Sequence, residues 1–166
     1  MQNVQLRGAK PGDEAALAYI QTESWKAAFA DVISEKTMEE HTRLEKIRQM
    51  YEYVLANAVA KGMLLSVDGM PHGMAFWSKA RDCSESDCAE LICIHSLQDK
   101  WRCGYGSMMM ERVLSEMKAQ NYQKAILWVF ADNIRARKFY EKHGFFLTEN
   151  HKSSYGAEEV MYCKYL

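Results

Sequence analysis

Apolar and polar positions along the chain follow two periods, and the switch between them marks its elements. Residues 4–7 read as a short strand. Pro11-Gly12-Asp13-Glu14 then opens a helix, with Asp13 placed to cap it and the acids matching the positive end of the helix dipole. Leu17, Ile20, Ser24 and Trp25 recur along it at helical spacing. A break near Ala30-Asp31 leads to a more charged helical region from Glu35 to about Asn57. Its Leu44, Ile47, Tyr51, Val54 and Leu55 form one stripe, and Lys61-Gly62 is expected to stop it.

The period then shortens. Segments 63–67 and 72–79 flank Asp68-Gly69, a hairpin signal because glycine tolerates positive φ. A polar loop at 81–87 precedes a strand over 89–96. Gly104-Tyr105-Gly106 opens a helix carrying Met110, Val113, Leu114 and Met117 at i, i+3, i+4 and i+7. The apolar run 125–130 predicts a strand covered on both faces, as in a parallel pair. Asp132-Asn133 caps a helix with Ala136, Phe139, Tyr140 and His143 on one side, closed by Gly144, and 145–149 and 159–165 supply two last strands. The order β-α-α-β-β-β-α-β-α-β-β predicts a mixed α/β fold: a mostly antiparallel central sheet, a strand–helix–strand stretch embedded in it, and flanking helices.

Composition narrows the function classes. The 166 residues fit one domain spanning 1–166, and 48% hydrophobic with 26% charged residues is ordinary globular usage. With 21 Lys+Arg against 22 Asp+Glu, the chain lacks the basic excess of a general nucleic-acid binder. The longest apolar run, 125–131, is too short for a membrane span, and the start of the chain has neither the basic residues nor the apolar stretch of a secretory signal. A cytoplasmic protein without a membrane or nucleic-acid partner is expected. Cys83, Cys88, Cys93, Cys103 and Cys163 contain no CxxC pair and match no common zinc spacing, so reduced thiols and no metal are expected, with Cys83 and Cys88 the exposed ones. A thiol-based redox or metal protein is the reading those cysteines would otherwise support.

The segment Gln98 to Ser107 carries the first chemical signal. Glycines two apart at a strand-to-helix transition let backbone N–H groups converge on one anion, the helix dipole adds positive potential there, and Lys100 and Arg102 stand alongside. A phosphate or pyrophosphate is the matching ligand. No Gly-Lys-Ser/Thr follows and the third Rossmann glycine is absent, which argues against a nucleotide triphosphatase or a dehydrogenase. Glu90 lies at the start of the preceding strand, and simple alternation puts it on a face with Ile92, Ile94 and Ser96, where desolvation would suit a general base. On spacing alone Tyr140 reads as a core aromatic.

Together these segments resemble the GCN5-related N-acetyltransferases (GNAT), acetyl-CoA-dependent enzymes. Gly104 and Gly106 match the family's Gln/Arg-x-x-Gly-x-Gly/Ala motif, with Trp101 at its leading position. Asn133, Ala136, Phe139, Tyr140, Gly144 and Phe145 match the motif that follows. The resemblance covers nearly the whole chain and is most specific over 89–146. It implies a GNAT-like fold in which the parallel strands 89–96 and 125–130 splay apart, with acetyl-CoA as acetyl donor.

The resemblance also implies roles. The pyrophosphate would sit on Trp101, Arg102, Cys103, Gly104, Tyr105, Gly106 and Ser107. The pantetheine arm would run beside Ile94, whose N–H would face the thioester carbonyl, and Ser96, with Asn133, Ala136 and Phe139 also on the cofactor. Glu90 would be the general base, directly or through a water, with His95 the runner-up on the opposite face, and Tyr140 the general acid. Arg135, Arg137 and Lys138 offer cations to the phosphates. The acceptor would be an amine, on a small molecule or on a peptide or protein, received by Trp25, Phe29 and Tyr155 with the 31–56 region, Tyr51, Tyr53 and a 149–156 loop. Glu35, Glu39 and Glu40 would favour a cationic acceptor. Other acyl-CoA donors remain compatible with the strand residues, the final strand offers an edge for a homodimer, and an acyl-CoA-binding regulatory module without turnover is the alternative.

Overall fold

A computed structural model describes residues 1–166. Seven strands form one sheet: β1 (Val4–Gly8), β2 (Lys61–Val67), β3 (Met70–Lys79), β4 (Cys88–Ser96), β5 (Lys124–Phe130), β6 (Phe146–Ser154) and β7 (Ala157–Tyr165). Their order is β1-β2-β3-β4-β5-β7-β6, and every pairing is antiparallel except β4 with β5. Asp68 and Gly69 both take positive φ, 51° and 80°, the turn that the β2–β3 hairpin requires.

Helices α1 (Glu14–Phe29), α2 (Glu35–His41) and α3 (Leu44–Ala56) gather on one face of the sheet, while α4 (Tyr105–Ala119) and α5 (Ile134–Lys142) cover the other. Alternation along β3 sends Ala75 and Trp77 into the core with Met109, Met110, Val113 and Met117 of α4. Met74 and Phe76 go to Leu17, Ile20 and Ile47 on the α1 side. Burying each such side chain stabilises by about 1.5–3 kcal/mol.

Three local expectations are corrected. The helical region 35–57 is two helices. Thr42 ends α2 by donating its hydroxyl to the Met38 carbonyl at 2.7 Å, and Arg43 is extended, so the chain turns before Leu44. Asp13 occupies the cap position of α1 without capping: its carboxylate forms a two-point pair with Arg7 at 2.8 and 2.9 Å and accepts from the Lys10 N–H, and Arg7 holds its carboxyl below the usual range. Lys61-Gly62 does not stop α3, which ends at Ala56. Gly62 lies within β2, where a Cβ would collide with the Phe76 ring.

Candidate active site

The pairing of β4 with β5 runs from Cys88↔Lys124 to Leu91↔Leu127 and stops, while β5 stays paired to β7 as far as Phe130. Residues 92–96 therefore face β5 across a gap, with an open backbone edge. The gap begins at a β-bulge: Phe76 opposes Cys93 and Trp77 opposes Leu91, so Ile92 is the extra residue. This corrects the alternation read from sequence. Leu91 and Ile94 both reach the α4 side, and Glu90, Cys93 and His95 share the opposite face, opposing Ser78, Phe76 and Met74. His95 and Glu90 are thus on one face, and Glu90 does not share a face with Ile94 and Ser96.

Beside the gap lies a cavity of about 450 Å³ between the turn before α4 and helix α5. Gly104, φ 87°, adopts a left-handed conformation there with open space around the missing Cβ. The first bond of α4 joins the Met108 N–H to the Gly104 carbonyl at 3.1 Å, so the N–H groups of Tyr105, Gly106 and Ser107 have no acceptor within the helix. Lys100, Arg102, Arg135, Lys138 and Lys142 line the cavity and no acid does. That donor set fits a diphosphate ester in shape and charge.

Of the residues assigned to the donor from sequence, Ile94, Ser96, Trp101, Arg102, Gly104, Tyr105, Gly106, Ser107, Ala136 and Phe139 line this cavity, and Tyr140 joins them. Cys103 and Asn133 do not. The Cys103 thiol reaches toward the Trp101 carbonyl, and the Asn133 Oδ1 caps α5 by accepting from the Ala136 N–H at 3.3 Å. The amides of Trp101 and Cys103 donate to the Gln98 and Lys100 carbonyls, which leaves the anion-facing role to the residues after them. Ser107 Oγ is engaged with His143 Nε2 at 3.0 Å. Lys142 is the lining cation that sequence reasoning missed; its place one turn beyond Lys138 was the available signal.

Tyr140 sits at the junction of cavity and core, packed among Phe139, Phe145 and Tyr162. Burial, first of all, pushes its phenol well above the ordinary value, with Cys93 adding to the shift and Arg135 opposing it, so the proton is firmly held. Glu90 is buried at 2% exposure, and both its oxygens are taken by Arg81, at 2.8 and 3.0 Å. Nothing in the polar 81–87 loop advertised that partner. Burial lowers His95 to about 4, which keeps its imidazole neutral.

On the α1 side, the structure brings Trp25, Phe29 and Tyr155 together. Trp25 meets Phe29 at 5.2 Å and Tyr155 at 5.1 Å, and His41 and Phe130, which sequence reasoning missed, complete the cluster at 4.8 Å from Tyr155 and 4.9 Å from Phe29. Phe130 ends β5, and its register partner on β7 is Glu159, half-buried, whose carboxyl is raised by burial. The 149–156 segment is not a loop: β6 runs to Ser154, and Tyr155-Gly156 form a tight turn with positive φ at both. Tyr51 is core, against Phe76 with its hydroxyl on Gln21, and Tyr53 points to solvent. Cys88 is buried and Cys103 exposed, reversing the expectation for Cys88; all five thiols are free, and no side-chain cluster could hold a metal. No helix is long and apolar enough to cross a membrane.

Comparison with known proteins places this geometry. Residues 21–145 match the Acetyltransferase (GNAT) family. A protein described as a probable N-acetyltransferase of Mycobacterium tuberculosis is 22% identical over 144 residues, covering 86% of this chain and 80% of that one. The PaiA N-acetyltransferase of Thermoplasma acidophilum, solved in complex with coenzyme A, superposes with a TM-score of 0.80 at 18% identity over 96% of this chain and 98% of that one. YncA of Salmonella typhimurium, described as a putative acetyltransferase and solved with acetyl-CoA, gives 0.73 at 14% identity over 98% and 93%. With its splayed parallel strands, its glycine turn and a match spanning most of its length, the chain belongs to the GNAT family of acetyltransferases.

Proposed function

We propose that residues 1–166 form one N-acetyltransferase domain that moves an acetyl group from acetyl-CoA to a primary amine by direct attack. The observation that carries this reading is the acid-free, five-cation cavity ending at Tyr140 beside the open edge of β4. A diphosphate on the amides of Gly104 to Ser107 and on Arg102 leaves the pantetheine arm to run along residues 94–96, pairing with the main chain as an added strand would. The Ile94 N–H then stands where charge develops on the thioester oxygen, and so favours the transition state.

An amine of pKa near 10.4 is neutral in only about one molecule in 2,500 at pH 7, so a base matters. Glu90 takes that proton, through a water, in exchange for its contact with Arg81. The amine nitrogen bonds to the acetyl carbon, the carbon–sulfur bond breaks, and the departing thiolate takes the proton of Tyr140. Burial keeps that proton on the phenol until the thiolate appears. The proton that the new amide nitrogen sheds passes through water to the phenolate, restoring Tyr140. The amine approaches from the aromatic cluster of Trp25, Phe29, His41, Phe130 and Tyr155, whose rings suit an acceptor with an apolar or cationic body.

The test is release of free CoA from acetyl-CoA in the presence of a panel of small amines, polyamines and peptides. Amine-dependent release that is lost in Tyr140→Phe supports the reading. Tight acetyl-CoA binding without release by any amine favours a regulatory acyl-CoA-binding module instead.

A further inference from the structure

One cation in the cavity is held differently from the others. The Arg135 guanidinium, in the first turn of α5, lies over the Trp101 ring with its carbon 3.5 Å from the ring centre. The ring is itself fixed, because its Nε1 donates to the Ser96 carbonyl at 2.9 Å, at the end of β4. Arg135 makes no ion pair and no hydrogen bond within the chain, unlike Arg7, Arg48, Arg81 and Arg112, each of which has a carboxylate partner. Partial burial and repulsion from Arg102 both disfavour its charge. A planar guanidinium offers its face to an aromatic ring and its N–H groups around the edge. Here the indole takes the face, so the edge stays available to the cavity that Arg135 lines together with Gly104 and Gly106.

We propose that the Trp101–Arg135 stack is a diphosphate clamp: Arg135 binds the diphosphate of the donor edge-on, and Trp101 is a positioning residue that holds the guanidinium in place. The clamp spans the two elements that form the cavity, the turn before α4 and the start of α5. It therefore selects donors that carry the diphosphate, whatever their acyl group. An unpartnered guanidinium pinned at 3.5 Å to the anion-facing turn is the observation behind it. The inference rests on the reading of the cavity as an acyl-CoA site.

The experiment is calorimetric titration of the full chain with acetyl-CoA and with acetyl-dephospho-CoA, which lacks the 3′-phosphate, alongside kcat/KM with S-acetylpantetheine, which has no phosphate at all. Arg135→Ala is expected to weaken both CoA forms equally, by about 10- to 30-fold, the worth of a charge-assisted pair. Trp101→Leu weakens both by a smaller factor, and it adds nothing in the Arg135→Ala background. Trp101→Phe, which keeps a ring but loses the Nε1 bond to the Ser96 carbonyl, falls between Trp101→Leu and wild type. Arg135→Ala lowers kcat/KM with acetyl-CoA far more than with S-acetylpantetheine, whereas a general structural role for the stack would impair both alike. Arg135→Lys, which cannot present a planar edge, recovers only part of the loss. Unchanged affinity in Arg135→Ala, a loss confined to the 3′-phosphorylated form, or additive effects of the two positions would each overturn the clamp while leaving the acyl-CoA site standing. Failure of the wild-type chain to bind acetyl-CoA would overturn both.

Discussion

The two faces of the sheet are built on opposite terms. On the α4–α5 side the gap between β4 and β5 opens onto backbone amides and unpaired cations, and no acid enters the cavity. On the α1–α3 side, aromatic rings from four separate segments pack edge to face, and the charges are largely matched: Glu90 with Arg81, Asp82 with Lys152. Unpaired charge is costly to hold near a low-dielectric wall, and the diphosphate of the proposed donor would compensate it on the α4–α5 face. Under the proposed function the first face is the cradle for the donor's anion and the second the surface that receives the acceptor, where the rings would set selectivity.

That contrast can be tested from both sides. The largest effect is expected at the junction: Tyr140→Phe should cut turnover by about 100-fold or more while leaving acetyl-CoA affinity unchanged, because the ring and its packing remain. Steady-state kinetics with parallel calorimetry would show it, and equal losses in both would make Tyr140 a packing residue. Glu90→Gln should lower kcat strongly at neutral pH, with activity recovering as pH approaches the pKa of the acceptor amine; an effect independent of pH would point to another group. On the acceptor side, Tyr155→Ala should raise the acceptor KM by about 10-fold and leave the donor constant alone, as the loss of one aromatic contact implies. A change in donor affinity would break the division between the faces.

A separate effect is on stability rather than on turnover or binding. His95 has a folded pKa of about 4 against an ordinary value near 6.5, so between those values the unfolded chain binds the proton and the folded chain does not. Its contribution is fully present above about pH 6.5 and declines as the pH falls toward 4, by up to about 3 kcal/mol. Chemical denaturation from pH 7 to 4 should show a shallower decline in His95→Gln than in the wild type.

The glycine turn and the start of α5 were legible in the sequence because their demands fall on the backbone. A left-handed residue and a crowded helix start need glycine at Gly104 and Gly106, and a helix cap needs Asn133, so motif and conformation coincide. The element order was legible for the same reason, through period and turn residues. Three features were not. The extra residue at Ile92 hides in an unbroken apolar run, yet it inverts every side chain beyond it and brings His95 to the face of Glu90. The Arg81–Glu90 pair joins a polar loop to a strand, and any of several nearby cations could have filled that role. The meeting of His41 with Trp25, and of Phe130 with Phe29 and Tyr155, depends on how α2 and the β6–β7 turn fold over the sheet, which no local pattern encodes.

The central claim is that the turn at 101–107 grips a diphosphate and directs a thioester along β4. Backbone amide chemical shifts followed by NMR during titration with acetyl-CoA test it most directly. The account predicts that the largest shifts fall on Gly104, Tyr105, Gly106, Ser107 and Ile94. Shifts centred instead on the separate cavity of about 440 Å³ bordered by Gly8, Leu55, Gly62 and Gln120, with the glycine turn unmoved, would contradict it.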